Sequence, residues 1–201
     1  MNFLFKITFV FLLLLSGISL PASAQQRMTF RVRVNIVPTR EPGEINYAPN
    51  VLLRFEDFKS NRYSGAYQNV AEVFSGLTLS YRAGGYGGVF EIDIKLTATM
   101  NPQRSWMKPE GRTPSVLRHE QMHFHLTGLA LCNLKKLLEE APLDKASFRQ
   151  QIEAIDRAQY EALSAEQDRY DLETVHGTNL KEQARWEQEI EARLAAQDCY
   201  P

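Results

Sequence analysis

The sequence predicts an α+β chain: an antiparallel sheet in the N-terminal half, followed by a helix bearing the pentad His119-Glu120-Gln121-Met122-His123 and by two further helices. Three observations carry this. Apolar and polar residues alternate with strand period only in the first half. Capped, proline- or glycine-terminated helical stretches fill the second half. Gly- and Pro-containing segments fall at the joints between them.

In "FRVRVNIV" Phe30, Val32, Val34 and Ile36 alternate with Arg31, Arg33 and Asn35, the pattern of a half-buried strand. "VFEIDIKLTAT" repeats it, with Phe90, Ile92, Ile94 and Leu96 set against Glu91, Asp93 and Lys95. "LTLSY", Leu77 to Tyr81, is a third strand, joined to the previous one by "AGGYGG", whose glycines tolerate the positive φ of a hairpin turn. That loop is no phosphate cradle, because neither Lys-Ser/Thr nor a helix follows it. "REPGEINYAPN", Arg40 to Asn50, reads as an exposed loop. Thr113 or Ser115 can then cap a helix running to about Glu140, where Pro142 ends it. A second, highly charged helix runs from about Lys145 to Val175, with Gly177 as its stop, and a third from about Asn179 to Ala196.

Residues 1–24, "MNFLFKITFVFLLLLSGISLPASA", combine one cation (Lys6), a short apolar run and a small-residue Ala-Ser-Ala exit. This is the pattern of a secretory signal peptide cut after Ala24, too short in its apolar stretch to remain as a membrane helix. The expected mature chain, residues 25–201, fits a single domain in an exported, periplasmic or extracellular setting. Losing Lys6 from the 23 basic residues leaves 22 against 24 acidic ones, a net charge of −2. That balance excludes a nucleic-acid-binding surface, which needs a strong basic excess. Cys132 and Cys199 are too few for a disulfide scaffold; one bridge or two free thiols both fit the spacing.

The chemistry is concentrated in "RHEQMHFHL", Arg118 to Leu126, which holds three of the four histidines. At ~100° per residue His119 and His123 lie about 40° apart, one turn above each other, so both rings can reach one ion. Glu120 is rotated about 100° from His119, beside the ion without ligating it. Two neutral imidazoles on Zn²⁺ and a carboxylate able to take a proton from water are what a zinc hydrolase needs. His125 sits about 200° round from His123 and is expected to pack rather than ligate. A third protein ligand is expected, and His176 in "RYDLETVHGTN" is preferred over Glu173, with Asp171 weaker still. Tyr170 is either a phenol donating to the reaction's oxyanion or a residue packed between helices.

These segments together resemble a group of bacterial secreted zinc-dependent proteases of the H-E-x-x-H type. "HEQMHF" is similar to that group's His-Glu-Gln-x-His-Phe core, and "YDLETVHG" with "QARW" (Gln183 to Trp186) to its closing signature. "RFEDFKS" (Arg54 to Ser60) looks like its early L-x-W-x-D-F element with Phe55 in place of tryptophan, and Ser105-Trp106 precedes the helix as in the group. His125 departs from the acidic residue expected after the core. The resemblance implies a zincin-like fold and His119, Glu120, His123 and His176 as site residues. The reading that follows is a zinc metallopeptidase acting on peptides or proteins, cell-wall peptides included, through zinc-activated water with Glu120 as base. The alternative is a non-catalytic exported binding or envelope-assembly protein on the same scaffold. Strand Phe90 to Thr99 is expected to offer its edge to an extended peptide.

Overall fold

A computed structural model describes residues 29–63 and 69–200, so the expected signal peptide lies outside the described residues. The sheet is organised about one strand, β5 (Val89–Met100). β4 (Ser75–Tyr86) pairs with it antiparallel over its whole length, from Ser75 opposite Met100 to Tyr86 opposite Val89. On the other side β1 (Thr29–Ile36) runs parallel to β5, with Thr29 opposite Val89 and Ile36 opposite Leu96. β2 (Ile45–Asn46) continues that side antiparallel, beside Met100 and Thr99.

The sheet is therefore mixed and not antiparallel as expected. Alternation tells which face of a strand is buried and is blind to its direction. A parallel pair needs a long connection, and the sequence between Ile36 and Ser75 is long enough to supply one between β1 and the β4–β5 hairpin. Two smaller corrections follow. Ala83 to Tyr86 continue β4, so the turn is only Gly87-Gly88, at φ of 58° and 81°. The expected loop Arg40 to Asn50 contributes β2 and the buried Tyr47. A further two-stranded ribbon joins β3 (Ala71–Glu72) to β6 (Trp106–Met107).

Three helices follow. α1 (Pro114–Glu140) opens with Thr113, whose side chain accepts the Val116 N–H at 3.3 Å, and stops before Pro142. α2 (Phe148–Thr174) and α3 (Leu180–Ala195) complete the chain, α3 capped by the Asn179 side chain. α1 is the middle layer. Phe124, Leu131, Leu134 and Leu138 pack on Ile92, Ile94, Leu96 and Met100 of β5. Met122, Leu126, Leu129 and Ala130 pack the other way, on Leu163 and Tyr170 of α2 and Trp186 and Ile190 of α3. A helix apolar on both sides is the kind that ends up enclosed, and every residue from His119 to Cys132 is buried. Each leucine so enclosed contributes about 1.5–3 kcal/mol through lost apolar surface.

Gly128 interrupts this helix for a reason. A Cβ there would stand 2.0 Å from the Tyr47 ring, which seats edge-on against Phe124 with centroids 5.0 Å apart. The helix gives up roughly 1 kcal/mol of propensity at a glycine and gains an aromatic contact. Cys132 and Cys199 are joined, resolving the choice that the sequence leaves open. The bridge holds the tail so that Tyr200 packs on Tyr47 and donates to the Gly128 carbonyl at 3.3 Å. Among the described residues no helix is long and apolar enough to cross a membrane.

Candidate metal centre

His119 and His123 lie one turn apart on α1 and their Nε2 atoms stand 3.2 Å from each other. Asp171, in the last turn of α2, brings Oδ1 to 3.0 Å from the first and 2.9 Å from the second. Three donor atoms from two helices thus converge on one point. Ligand atoms on a tetrahedral zinc with bonds of about 2.0–2.1 Å would stand roughly 3.3 Å apart. The triangle is close to that size, and this group of side chains can hold a metal ion.

The electrostatics agree with the geometry. Burial works against the Asp171 charge, yet its close contacts with the His119 and His123 rings hold its carboxyl well below the usual range. Burial likewise opposes charge on His123, but Asp171 and Glu120 raise its affinity for a proton. The Asp171 carboxylate and two ring nitrogens face one another across the triangle, an arrangement that favours a positive charge at its centre. Glu120 is buried beside it, and that burial pushes its carboxyl up against the opposing pull of His123, His119 and the Val73 N–H. Val73 N donates to Glu120 Oε2 at 2.7 Å and fixes the side chain from outside the helix.

The end of α2 shapes the rest. Val175, His176 and Gly177 take φ of 50°, 49° and 78°, three left-handed residues in succession. A β-branched valine in that region is strained, at a cost of order 1–3 kcal/mol. The reversal turns His176 back, so that Nδ1 lies 3.5 Å from Asp171 Oδ1 with half the side chain exposed. His176 therefore stands at the rim of the triangle, and the third donor beside the two buried histidines is the partly exposed Asp171, the residue that sequence spacing favours least. Glu173 is elsewhere: it accepts the Trp186 indole N–H at 2.8 Å and pairs with Arg185. Tyr170 is fully buried and stacks on the His119 ring, centroids 4.6 Å apart. Its hydroxyl meets Gln183 and the His119 carbonyl. His125 packs as expected, its Nδ1 3.0 Å from the Tyr47 hydroxyl and its Nε2 3.2 Å from the Gln121 amide.

The triangle opens into a cavity of about 630 Å³. One wall is the segment Asn69 to Val73, which includes β3; others carry Val116, Gln167, Val175, His176 and Thr178. Strand β5 is paired on both sides and offers no edge to a peptide, which corrects the expectation for Phe90 to Thr99. The residues that line the cleft instead, Asn69 to Val73, carry no strand-length alternation to mark them in the sequence. Comparison with protein families, with curated proteins and with solved structures finds no match.

Proposed function

We propose that this chain is an exported zinc-dependent metallopeptidase, with His119, His123 and Asp171 as its metal ligands and Glu120 as its base. The observation that carries the reading is the convergence of three donor atoms, 2.9–3.2 Å apart, at the floor of a cavity that Glu120 also lines. Zinc bound there would supply Lewis acidity, lowering the pKa of water toward ~7 and polarising a peptide carbonyl. Glu120, anchored by Val73, takes the proton from the attacking water and returns it to the leaving amine. The segment Asn69 to Val73, with β3 at its centre, lines the cavity as a wall against which a strand-like peptide can lie. Among the described residues no Lys or Arg lines the cavity, so uncharged or cationic peptides are better accommodated than acidic ones. The zincin-like assignment and the export route rest on the sequence motifs and the leader.

The test is zinc per chain in residues 25–201, together with hydrolysis of a mixed peptide library by the parent and by Glu120→Gln. One zinc per chain, turnover in the parent and zinc without turnover in the variant are expected. Hydrolysis that survives Glu120→Gln overturns its role as base. Zinc bound with no hydrolysis of any peptide hands the chain to the binding-protein reading.

A further inference from the structure

Each histidine of the triangle has its second ring nitrogen tied to a glutamine. His119 Nδ1 lies 3.1 Å from Gln183 Oε1, and His123 Nδ1 makes a short contact with Gln167 Oε1. A glutamine side chain offers oxygen at one end and N–H at the other, so which end faces the ring decides which tautomer it stabilises. Groups further out fix the first orientation and favour the second.

Gln183 Nε2 donates to Glu187 Oε1 at 2.9 Å, and Glu187 is itself paired with Arg118 at 3.2 Å. A carboxylate accepts hydrogen bonds and cannot return one. Turning the amide over would set two oxygens against each other, so Gln183 must present its oxygen to His119. The Tyr170 hydroxyl touches both ends of the amide, at 3.0 and 2.8 Å, and is indifferent to the choice. On the second histidine Thr127 plays the part of Glu187. Its hydroxyl donates to the His123 carbonyl at 3.2 Å and so receives the Gln167 Nε2 at 3.5 Å as an acceptor. The Ser75 hydroxyl lies 2.8 Å from the same oxygen.

We infer that Gln183 and Gln167 are positioning residues that place the proton of each histidine on Nδ1, with Glu187 and Thr127 setting the direction of each amide. Both Nε2 lone pairs then point at each other and at Asp171 Oδ1. Three acceptors within 3.2 Å of one another repel unless a cation lies among them. The surrounding hydrogen bonds thus ready the triangle for an ion before it arrives. This rests on the metal reading given above and extends it to four residues outside the triangle. Because the partners of the rings are neutral amides, the ligands stay less electron-rich than carboxylate-bound histidines, which leaves more of the ion's charge for water and substrate.

Two measurements test it. The first is ¹H–¹⁵N correlation of the histidine side chains in metal-free protein at pH 9, where neutral rings report their tautomer. Nδ1–H on both His119 and His123 is expected; Nε2–H on either overturns the inference for that ring, whatever the protein does with zinc. The second is zinc affinity by competition with a chromogenic chelator. Gln183→Leu should bind zinc about 10- to 100-fold more weakly. The exchange Gln183→Glu with Glu187→Gln keeps an acceptor on the ring and a donor beyond it, and should restore most of that loss. Parent-like affinity in Gln183→Leu, or no recovery in the exchange variant when its melting temperature equals the parent's, overturns the inference. A parent that binds no zinc but shows both Nδ1–H tautomers would defeat the metal reading and leave the positioning role of the two glutamines standing.

Discussion

Gly177 lies against the His119 ring so closely that a Cβ on it would stand 3.1 Å from the Cβ and Cγ of that histidine and 3.2 Å from its Nδ1. The same residue has φ of 78°, a conformation that favours glycine. Turn geometry and ligand packing therefore make one demand at one position. Gly177→Ala should cost about 1–3 kcal/mol of stability through backbone strain and weaken zinc binding by displacing the ring. Urea unfolding and chelator competition on the same variant measure the two effects. Unchanged affinity would show that the turn does not support the ligand.

Asp171 and Glu173 sit two residues apart on one helix with different partners, the histidines for one and Trp186 with Arg185 for the other. Asp171→Ala should remove bound zinc, whereas Glu173→Gln should keep it, and His176→Ala should lower occupancy less than Asp171→Ala does. Metal content by atomic emission on the three purified variants decides the ligand set. If His176→Ala loses the metal and Asp171→Ala does not, the third ligand is the histidine.

His125 gives the fold a pH dependence independent of turnover. Burial, then the charge of Arg118, lowers its protonation to about 4 from the ordinary 6.5, with Glu191 opposing. The ring is held between the Tyr47 hydroxyl and the Gln121 amide, which donates to Nε2 and leaves no room for a proton there. The unfolded chain takes up this proton below pH 6.5 and the folded chain does not. The contribution is therefore present above pH 6.5 and is lost as pH falls toward 4, by up to about 3 kcal/mol. Comparing urea midpoints of the parent and His125→Gln from pH 7 to 4 isolates it; parallel curves would remove His125 as the cause.

Reducing the Cys132–Cys199 bridge releases a loop of sequence separation 67 in the unfolded chain, worth about 4 kcal/mol in the chain-entropy account. The Cys132→Ala, Cys199→Ala double variant should melt lower by a corresponding amount, with the Tyr47 and Tyr200 environment altered in near-ultraviolet circular dichroism. An unshifted melting temperature would mean that the tail is held by Tyr200 alone.

The parts of this molecule that speak through local pattern are the parts the sequence reveals. The helix of the pentad ends within a residue or so of its cap and its proline because Thr113, Pro114 and Pro142 act on the backbone next to them. β1 and β5 are visible because one face of each is buried, although nothing local says that they run parallel. His119, Glu120 and His123 are legible because helical spacing alone sets them side by side. Asp171 is harder: the reversal at Val175 and His176 decides which residue reaches the pair, and strained left-handed residues other than glycine leave no mark in composition. Gln183 lay within a quoted motif and Gln167 within a charged helix, but their roles depend on which side of α1 faces α2 and α3, a matter of packing.

The ligands of the proposed ion are divided between α1 and α2, and that division has a thermodynamic side. An ion held by both helices bridges them, and it has no counterpart in the unfolded chain, where the same residues are far apart. By mass action a zinc concentration a thousand times Kd would add about 4 kcal/mol to the folded state, a contribution comparable to that of the disulfide. Zinc held there would make the melting temperature a function of free zinc, and its slope against the logarithm of zinc concentration would report how many ions fasten the two helices.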